Sequence, residues 1–340
     1  MDKYEIDSHK LMYHPERVAA WRKGEQTYPI YAEIAPFGGC NHRCEFCSFN
    51  YLSYKPIKLD TDVLQKCLTS MGQCGVKAVM YAGEGEPLLH PEIAKIIKYT
   101  KSVAGMDVAV TTNGVMFDKK MSEATIPYMS WIKVSVDAAT PKTYAKLHGT
   151  SRRDFHKVLL NLEDAVSYRD KHNEKCTIGA QAILLPDNVE EIIHLADMVN
   201  TDYLVIKPFT GHPQRKGYNE ADYSNIPEDI KNQLINHPKI IFREQSFHKL
   251  EVKRNYDKCY AIDFWTLITA KGEVYSCSNF LGGDPKHVYG NIYDQSFKHI
   301  WSNRRHLNIH SSLCRQICRM DKINEYLWEL KNGKEHVNFI

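Results

Sequence analysis

The chain has 340 residues, ten of them cysteine, and its 44 basic and 41 acidic residues leave a formal net charge of +3. A composition that is 43% hydrophobic and 25% charged is typical of globular proteins, and the small net charge does not indicate a nucleic-acid partner. No apolar run reaches the roughly 18 residues of a bilayer span, and the N-terminus lacks the apolar core of a signal peptide. We therefore expect a cytoplasmic protein with no membrane partner. In that compartment, the cysteines are expected to serve metal or redox chemistry rather than disulfides.

Residues 1–27 are polar and predict one helix, over 16–24, in a segment that we expect to cap the rest of the chain. From residue 28 onward, apolar runs of strand length alternate with segments of helical periodicity. Strands are predicted at 28–35, 78–82, 107–112, 132–136, 176–185 and 203–206, and helices at 60–75, 91–103, 118–129, 152–172 and 189–198. This succession predicts a parallel β/α fold over residues 28–210.

Ligands of parallel β/α folds bind at the carboxyl ends of the strands. Unusual polar groups follow five of the predicted strands: a cysteine-rich loop after the first, then residues 83–87, 111–114 and 135–137, and finally Lys207. The sequence therefore predicts one functional site, built from several loops at the same edge of the sheet.

The loop after the first strand carries three cysteines at C-x3-C-x2-C spacing, Cys40, Cys44 and Cys47. Three thiolates within eight residues can wrap one face of an iron–sulfur cube and leave one of its four irons open to a ligand that is not protein. The alternative is a zinc knuckle. A structural zinc site takes four ligands, however, and no nearby cysteine or histidine completes the set neatly, since His42 stands between two of the three.

With Phe46 as its aromatic residue, this loop resembles the C-x3-C-x-aromatic-C signature of radical S-adenosylmethionine (SAM) enzymes. The resemblance implies an open (β/α)6 partial TIM barrel over residues 28–210. It also implies that the three cysteines hold a 4Fe–4S cluster whose open iron binds SAM. One electron, from a donor such as flavodoxin or ferredoxin, would then cleave SAM to methionine and a 5'-deoxyadenosyl radical that abstracts a hydrogen atom from the substrate.

The same resemblance implies a set of SAM contacts. Residues 84–87 are similar to the family's GGEP segment, with a glutamate in place of the first glycine, and would meet the SAM amine; they are Glu84, Gly85, Glu86 and Pro87. Short polar groups near strand ends and one aromatic ring would complete the pocket: Phe46, Asn113, Ser135, Asp137 and Gln181. Ordinary turn chemistry and core packing are the alternatives for these residues.

Residues 211–250 form a polar connecting segment with a possible strand at 240–242, and residues 251–340 contain a second group of cysteines: Cys259, Cys277, Cys314 and Cys318. Residues 266–276 predict a hairpin that turns at Lys271 and Gly272, and a helix follows it. The pattern resembles the Twitch form of the SPASM-type extension. That resemblance implies a small hairpin-plus-helix domain with one auxiliary 4Fe–4S cluster on the four cysteines. A zinc site is the alternative, because four thiolates also satisfy zinc.

An auxiliary cluster with a full set of ligands suits electron transfer. We therefore expect oxidation or epimerisation of a small polar substrate, such as a sugar, a nucleotide-sugar or an aminocyclitol. Lys207, Arg215 and Lys216 are candidates for holding an anionic substrate, and Glu33 and Lys207 are candidates for a general base. Cys176 is a candidate hydrogen donor, although its place at the amino end of a strand argues against that role.

Two other functions remain open from the sequence. The first is a peptide-modifying radical SAM enzyme that epimerises or cross-links its substrate; the 27 residues before the first strand are too short for the winged-helix module that many such enzymes carry. The second is a non-catalytic redox or zinc-binding protein, which would need the cysteines but not the polar residues at the strand ends.

Overall fold

The computed structural model of the chain describes residues 4–6, 8–214, 226–250 and 252–339. Within these residues, ten strands form one sheet in the order β10-β9-β8-β1-β2-β3-β4-β5-β6-β7. The strands are β1 (Tyr31–Ile34), β2 (Ala78–Tyr81), β3 (Asp107–Thr112), β4 (Trp131–Ser135), β5 (Thr177–Leu184), β6 (Tyr203–Pro208), β7 (Ile240–Phe242), β8 (Trp265–Ile268), β9 (Glu273–Tyr275) and β10 (Val288–Asn291). The helices are α1 (Pro15–Arg22), α2 (Thr61–Gln73), α3 (Ile93–Ser102), α4 (Lys119–Thr125), α5 (Pro141–His148), α6 (Arg152–Lys171), α7 (Ile192–Met198), α8 (Glu228–Asn236), α9 (Glu244–His248), α10 (Phe297–Ser302) and α11 (Asp321–Asn332).

The predicted open β/α barrel is confirmed. Strands β1 to β6 pair in chain order, each parallel to the next, and helices return the chain between them, as parallel pairing requires. The possible strand at 240–242 exists as β7 and pairs parallel with β6. Because β7 and β10 are the two edges of the sheet, the barrel is partial rather than closed.

The predicted hairpin at 266–276 is also confirmed, as the antiparallel pair β8 and β9. It is not a free-standing unit, because β8 pairs parallel with β1 and so continues the barrel sheet. The C-terminal region therefore shares a sheet with the cysteine loop that follows β1. No helix of the described residues combines the length and the apolar character needed to cross a bilayer.

The side chains of each strand alternate between the two faces of the barrel wall. In β1, Ala32 and Ile34 are fully buried in the core beneath the helices, and in β4 the same holds for Ile132 and Val134. Successive side chains of a strand point to opposite faces, so the residues between them face the interior of the barrel. The interior positions of β1, β4, β5 and β6 include Glu33, Lys133, Ser135, Gln181 and Lys207.

The backbone after β2 approaches the backbone after β1 very closely. The N–H of Glu86 donates to the carbonyl oxygen of Gly39 at 2.8 Å. A Cβ atom at Gly85 would lie 2.1 Å from that same oxygen and 2.6 Å from the carbonyl oxygen of Phe37. Both obstacles are backbone atoms that a rotamer change cannot move, so the packing of the two loops requires glycine at position 85.

We predict that Gly85→Ala lowers the free energy of unfolding by about 3 kcal/mol or more, since the two loops must separate to admit the methyl group. Urea denaturation of the purified protein measures this change. Gly105→Ala is the control without a steric obstacle: nothing lies within 4 Å of the added carbon, so only its positive φ of 72° opposes the substitution, which should cost about 1–2 kcal/mol. Equal losses in the two variants would show that the loop contact is not tight.

Candidate iron–sulfur and SAM site

The cysteine loop after β1 rests on the last turn of α5. The backbone N–H groups of Arg43 and Glu45 donate to the carbonyl oxygens of His148 and Leu147, each at 3.0 Å. These are carbonyls that a helix end leaves without an internal partner. The helix therefore fixes the backbone on both sides of Cys44.

The three thiols of the loop lie close enough to influence one another. Burial is the main cause that raises the pKa of Cys40 to about 11 and the pKa of Cys44 well above its usual range, and the charge of Cys47 raises both pKa values further. Backbone N–H groups already point at two of the sulfurs: that of His42 at Cys40 Sγ (3.4 Å) and that of Phe49 at Cys47 Sγ (3.4 Å). Such donors stabilise the sulfur ligands of an iron–sulfur cluster.

The spacing of the thiols tests which metal group fits. A tetrahedral zinc ion with bonds of about 2.3 Å holds its sulfur ligands about 3.8 Å apart. Among the described residues, no three cysteine thiols lie within 4.8 Å of one another, and this holds for both cysteine groups. The spacing suits a group of several irons, which separates its ligands more widely than a single ion does.

The described residues do contain one set of groups spaced for a single ion: His42, Cys44 and His148. His148 Nδ1 lies 3.5 Å from Cys44 Sγ. The other ring nitrogen, His148 Nε2, is held by Asp137: the backbone N–H of Asp137 points at it at 3.3 Å, and Oδ2 of the same residue lies 3.1 Å from it. His148 thus links Asp137 to the sulfur of Cys44.

His42 is almost fully buried behind the same cysteine, and its Nε2 lies 3.4 Å from Asp154 Oδ2. Burial, followed by the neighbouring His148, lowers the pKa of His42 to about 4. The ring of His148 stacks on the ring of Tyr144, with centroids 4.1 Å apart. The cysteine loop is therefore backed by a packed wall of aromatic and imidazole rings.

In residues 84–87, the two glutamates expected at SAM are engaged within the protein. Glu86 Oε2 accepts from the backbone N–H of Asn113 (2.8 Å), and its Oε1 accepts from Thr112 Oγ1 (2.6 Å). The carboxylate of Glu84 accepts from the backbone N–H of Ala270, in the turn between β8 and β9, and burial raises the pKa of Glu84 to about 7. The segment thus ties β3 and the C-terminal hairpin to the cysteine loop, with Pro87 buried at the start of a 3-10 turn.

The other expected SAM contacts gather around this loop. Asn113 Nδ2 donates to Asn41 Oδ1 at 2.7 Å, between two cysteines of the motif. Gln181 Nε2 donates to Ser135 Oγ at 2.8 Å in the barrel interior. Asp137 lies behind them, since its Oδ1 accepts from the backbone N–H of Ile183 (2.6 Å) and its Oδ2 faces His148 Nε2 (3.1 Å).

Phe46 lies in a small apolar cluster of its own. It packs with Leu147, Leu185 and Phe209, and Cys44 borders the cluster. Its ring meets the ring of His148 edge-on, with centroids 5.6 Å apart. The cluster shields one side of the cysteine loop from water.

The four cysteines of the second group also converge. Cys277, Cys314 and Cys318 pack against the apolar cluster that contains Cys259. Burial is the main cause that raises the pKa of Cys259 well above its usual range, and the charges of the other three thiols raise it further. The fold therefore brings together four cysteines that lie far apart in the sequence.

Two polar side chains, one buried and one partly buried, hold these cysteine-bearing segments in place. Asn324, on α11, accepts from the backbone N–H of Tyr260 at 2.8 Å and points its amide nitrogen at Cys259 Sγ at 3.5 Å. Arg254 donates to the carboxylate of Asp321 (3.0 Å) and to the carbonyl oxygens of Ser311 (3.2 Å) and Gln316 (2.8 Å). The guanidinium thus fixes the loop on which Cys314 lies.

The candidate catalytic residues have different surroundings. Glu33 is buried in the barrel, where it forms an ion pair with Arg319 and accepts from Tyr31 OH (2.7 Å). Lys207 Nζ donates to Gln181 Oε1 at 3.1 Å, also inside the barrel. Cys176 lies just before β5, at its amino end, in the core beneath the helices. Arg215 and Lys216 lie outside the described residues.

Several residues near the site were not predicted from the sequence. Helix α5, which carries His148, is one such feature, although Thr140 caps the helix, Pro141 opens it and Gly149 ends it with a φ of +55°, each a recognisable signal. Lys133, Arg315 and Arg319 were not predicted either. Their types and spacing gave no signal, because only the folded chain brings them together.

Two protein-family models match the chain. The first describes the radical SAM superfamily and matches residues 34–199, and the second describes an iron–sulfur cluster-binding domain, SPASM, and matches residues 259–322. The radical SAM model covers the cysteine loop after β1, and the SPASM model covers all four cysteines of the second group.

Curated relatives carry the name GTP 3',8-cyclase. That of Chlorobaculum tepidum is 30% identical over 125 residues, which cover 36% of this chain and 37% of the relative. A probable GTP 3',8-cyclase of Methanococcus vannielii is 27% identical over 56% of this chain and 62% of its own length. The chain thus spans less than two thirds of these relatives, whereas the Aquifex aeolicus enzyme is 24% identical over 84% of this chain and 92% of its own.

Solved structures share the fold. Streptococcus suis SuiB bound to the precursor peptide SuiA gives a TM-score of 0.65 at 17% identity, covering 94% of this chain and 77% of SuiB. The protein anSMEcpe with bound AdoMet gives a TM-score of 0.60 at 18% identity, covering 81% of each chain. Together with the two family models, the cysteine geometry leads to one conclusion: the chain contains a radical SAM domain in residues 34–199 and a SPASM-type iron–sulfur cluster-binding domain in residues 259–322.

Proposed function

We propose that the protein is an enzyme that cleaves SAM reductively and removes a hydrogen atom from a small polar substrate, with oxidation or epimerisation as the outcome. The observation that carries this proposal is the nearness of the two cysteine groups. Phe49 and Leu52, directly after Cys47, pack on the same apolar cluster as Cys277 and Cys314. A substrate between them would be within reach of both.

The cysteine assignments follow from the two groups. Cys40, Cys44 and Cys47 would hold the SAM-binding 4Fe–4S cluster, and Cys259, Cys277, Cys314 and Cys318 one auxiliary 4Fe–4S cluster. When bound and reduced by an external donor, the first cluster supplies the electron that splits SAM and so generates the radical that attacks the substrate.

The chain's own residues bind, orient and shield. The ring wall behind Cys44 and the Phe46 cluster exclude water from one side of the loop. The donors at strand ends, Asn113 and the Ser135–Gln181 pair, offer amide and hydroxyl groups that suit the carboxylate and ribose of SAM. Glu84 and Glu86 hold the loop edges in place, and backbone carbonyls of residues 84–87 are suited to the SAM amine.

We divide the chain into a cap (1–27), a radical SAM core (28–210), a connecting segment (211–250) and an auxiliary cluster region (251–340).

The relatives bear on the reaction. Those named GTP 3',8-cyclase act, by their name, on a small phosphorylated nucleotide, and one of them aligns along 92% of its length, which supports a small-molecule substrate. Cyclisation is bond formation within one substrate, so an intramolecular attack of the substrate radical stands beside oxidation and epimerisation. A peptide substrate is the alternative, because SuiB, with the same fold, has been solved with its precursor peptide.

We predict that Cys44→Ala abolishes the formation of 5'-deoxyadenosine by dithionite-reduced protein and lowers the iron content from about eight to about four per chain, because one of the two clusters loses a ligand. Iron analysis and product chromatography after anaerobic reconstitution measure both quantities. Cys67→Ala is the control, since Cys67 is a cysteine on α2, buried in the core away from both cysteine groups; this variant should keep the iron content and the formation of 5'-deoxyadenosine. Turnover that survives the loss of Cys44 would refute the proposal.

The histidines beside Cys44 separate a cluster from a single metal ion. We predict that His148→Gln and His42→Gln keep about four irons in the first site, because only thiols act as ligands there. If His42, Cys44 and His148 instead bound one ion, each variant would lose that metal entirely. Metal analysis by mass spectrometry decides between the two, with Cys47→Ala as the control that must lose metal only in the cluster arrangement.

A further inference from the structure

The interior of the barrel is unusually rich in cations. Lys133 on β4 and Lys207 on β6 occupy interior positions of the wall. Arg319, from the loop that bears Cys314 and Cys318, reaches the interior residue Glu33, and Arg315 lies on the same loop. The charges of Lys207, Arg243 and Arg319 act on Lys133, and those of Arg243, Arg315 and Arg319 act on Lys207. The four cations from β4, β6 and the cysteine-bearing loop therefore lie near one another, with Arg243 as a fifth.

Two carboxylates, Glu33 and Asp137, balance only part of this charge. Glu33 is paired with Arg319, and Asp137 is occupied by His148 and the backbone of Ile183. Among the described residues, Lys133 has no ion pair or hydrogen bond and only approaches the ring of Trp131 at 5.3 Å. Burial, followed by the neighbouring cations, lowers the pKa of Lys133 to about 7, and burial lowers that of Lys207 to about 8.

Arg315 is the least satisfied of the four. Its Nε donates to Asn279 Oδ1 at 2.8 Å, but its Nη2 is buried without a hydrogen-bond partner among the described residues. A buried guanidinium nitrogen without a partner is costly. Arg319 is accessible by contrast: 41% of its side chain is exposed, even though it reaches Glu33 on β1 and lies 4.6 Å from the ring of Trp265. Its guanidinium therefore remains accessible to a ligand from solvent.

The cations adjoin both cysteine groups. Lys207 bonds to Gln181, which in turn donates to Ser135, and Asp137, two residues after Ser135, acts on both Lys207 and Cys44. Arg315 and Arg319 stand next to Cys314 and Cys318 in the chain, and their charges interact with Cys277. A substrate that meets both cysteine groups would therefore lie beside these cations.

We propose that Lys133, Lys207, Arg315 and Arg319 form one site for the phosphate groups of a small phosphorylated substrate, such as a nucleotide or a sugar phosphate. The inference rests on the proposed function, which it makes more specific. Arginine binds phosphate through paired N–H donors and lysine binds it as a point charge, and a group of cations with few anions beside it attracts negatively charged ligands. Arg315 Nη2 and Lys133 Nζ offer donors that the protein itself leaves unused.

Calorimetric titration of the reconstituted holoprotein with inorganic pyrophosphate tests the site. We expect the wild type to bind it, and Lys133→Met and Lys207→Gln each to weaken binding about tenfold or more, the loss of one charged contact. Lys98→Met is the matched control, because Lys98 also lies over a ring, that of Tyr128 at 5.5 Å, but on the outer surface; its affinity should not change. Thermal melts and iron contents confirm that the variants are folded.

Citrate and ribose titrations identify the chemistry. Pyrophosphate should bind more tightly than citrate, and ribose should not compete with it. The proposal is overturned if the wild type does not bind pyrophosphate, if both lysine variants bind it as tightly as the wild type does, or if citrate binds more tightly. Failure of the proposed function looks different: the wild type would then bind pyrophosphate yet release no 5'-deoxyadenosine under dithionite.

Discussion

The site depends on one constraint, which is that the cysteine loop after β1 is held by backbone contacts on two sides. On one side, its N–H groups donate to carbonyl oxygens in the last turn of α5. On the other side, the carbonyl oxygen of Gly39 accepts from the N–H of Glu86, and the backbone packs directly against Gly85. Backbone contacts do not change with rotamer, so the three thiols are presented by a frame that is rigid before any metal arrives. Side chains such as His148 then adjust the surroundings of the sulfurs without having to position them.

The second group of cysteines reaches the same place by a different route. Because β8 joins the barrel sheet beside β1, the hairpin carries its cysteines up to the loop of the first group, and the turn after β8 binds Glu84. The return loop after α10 is fixed by Arg254 and Asp321, and it delivers Arg315 and Arg319 into the barrel along with its cysteines. The fold thus joins electron transfer and substrate binding in one segment. Loss of that segment should impair both.

The sequence was sufficient for the features that are local. The cysteine spacing, the six strand–helix units and the hairpin at 266–276 each depend on neighbouring residues, and the structure contains all of these elements. The short helix α5 was missed, although its capping residues are recognisable, because eight residues with three buried positions show little periodicity. The hydrogen bond from Ala270 to Glu84 could not be foreseen, because it depends on the pairing of β8 with β1. Lys133, Arg315 and Arg319 look like ordinary surface cations in the sequence. Strand register and the return of the C-terminal loop place them together, and both are non-local.

The central claim is that Cys40, Cys44 and Cys47 hold a cluster with one iron left open for SAM. Electron paramagnetic resonance of the reduced, reconstituted protein, recorded with and without SAM, tests it most directly. The account predicts that SAM shifts the g-values of one cluster signal and leaves the auxiliary signal in place, because only an open iron can take a new ligand. Superimposable spectra at saturating SAM would contradict it.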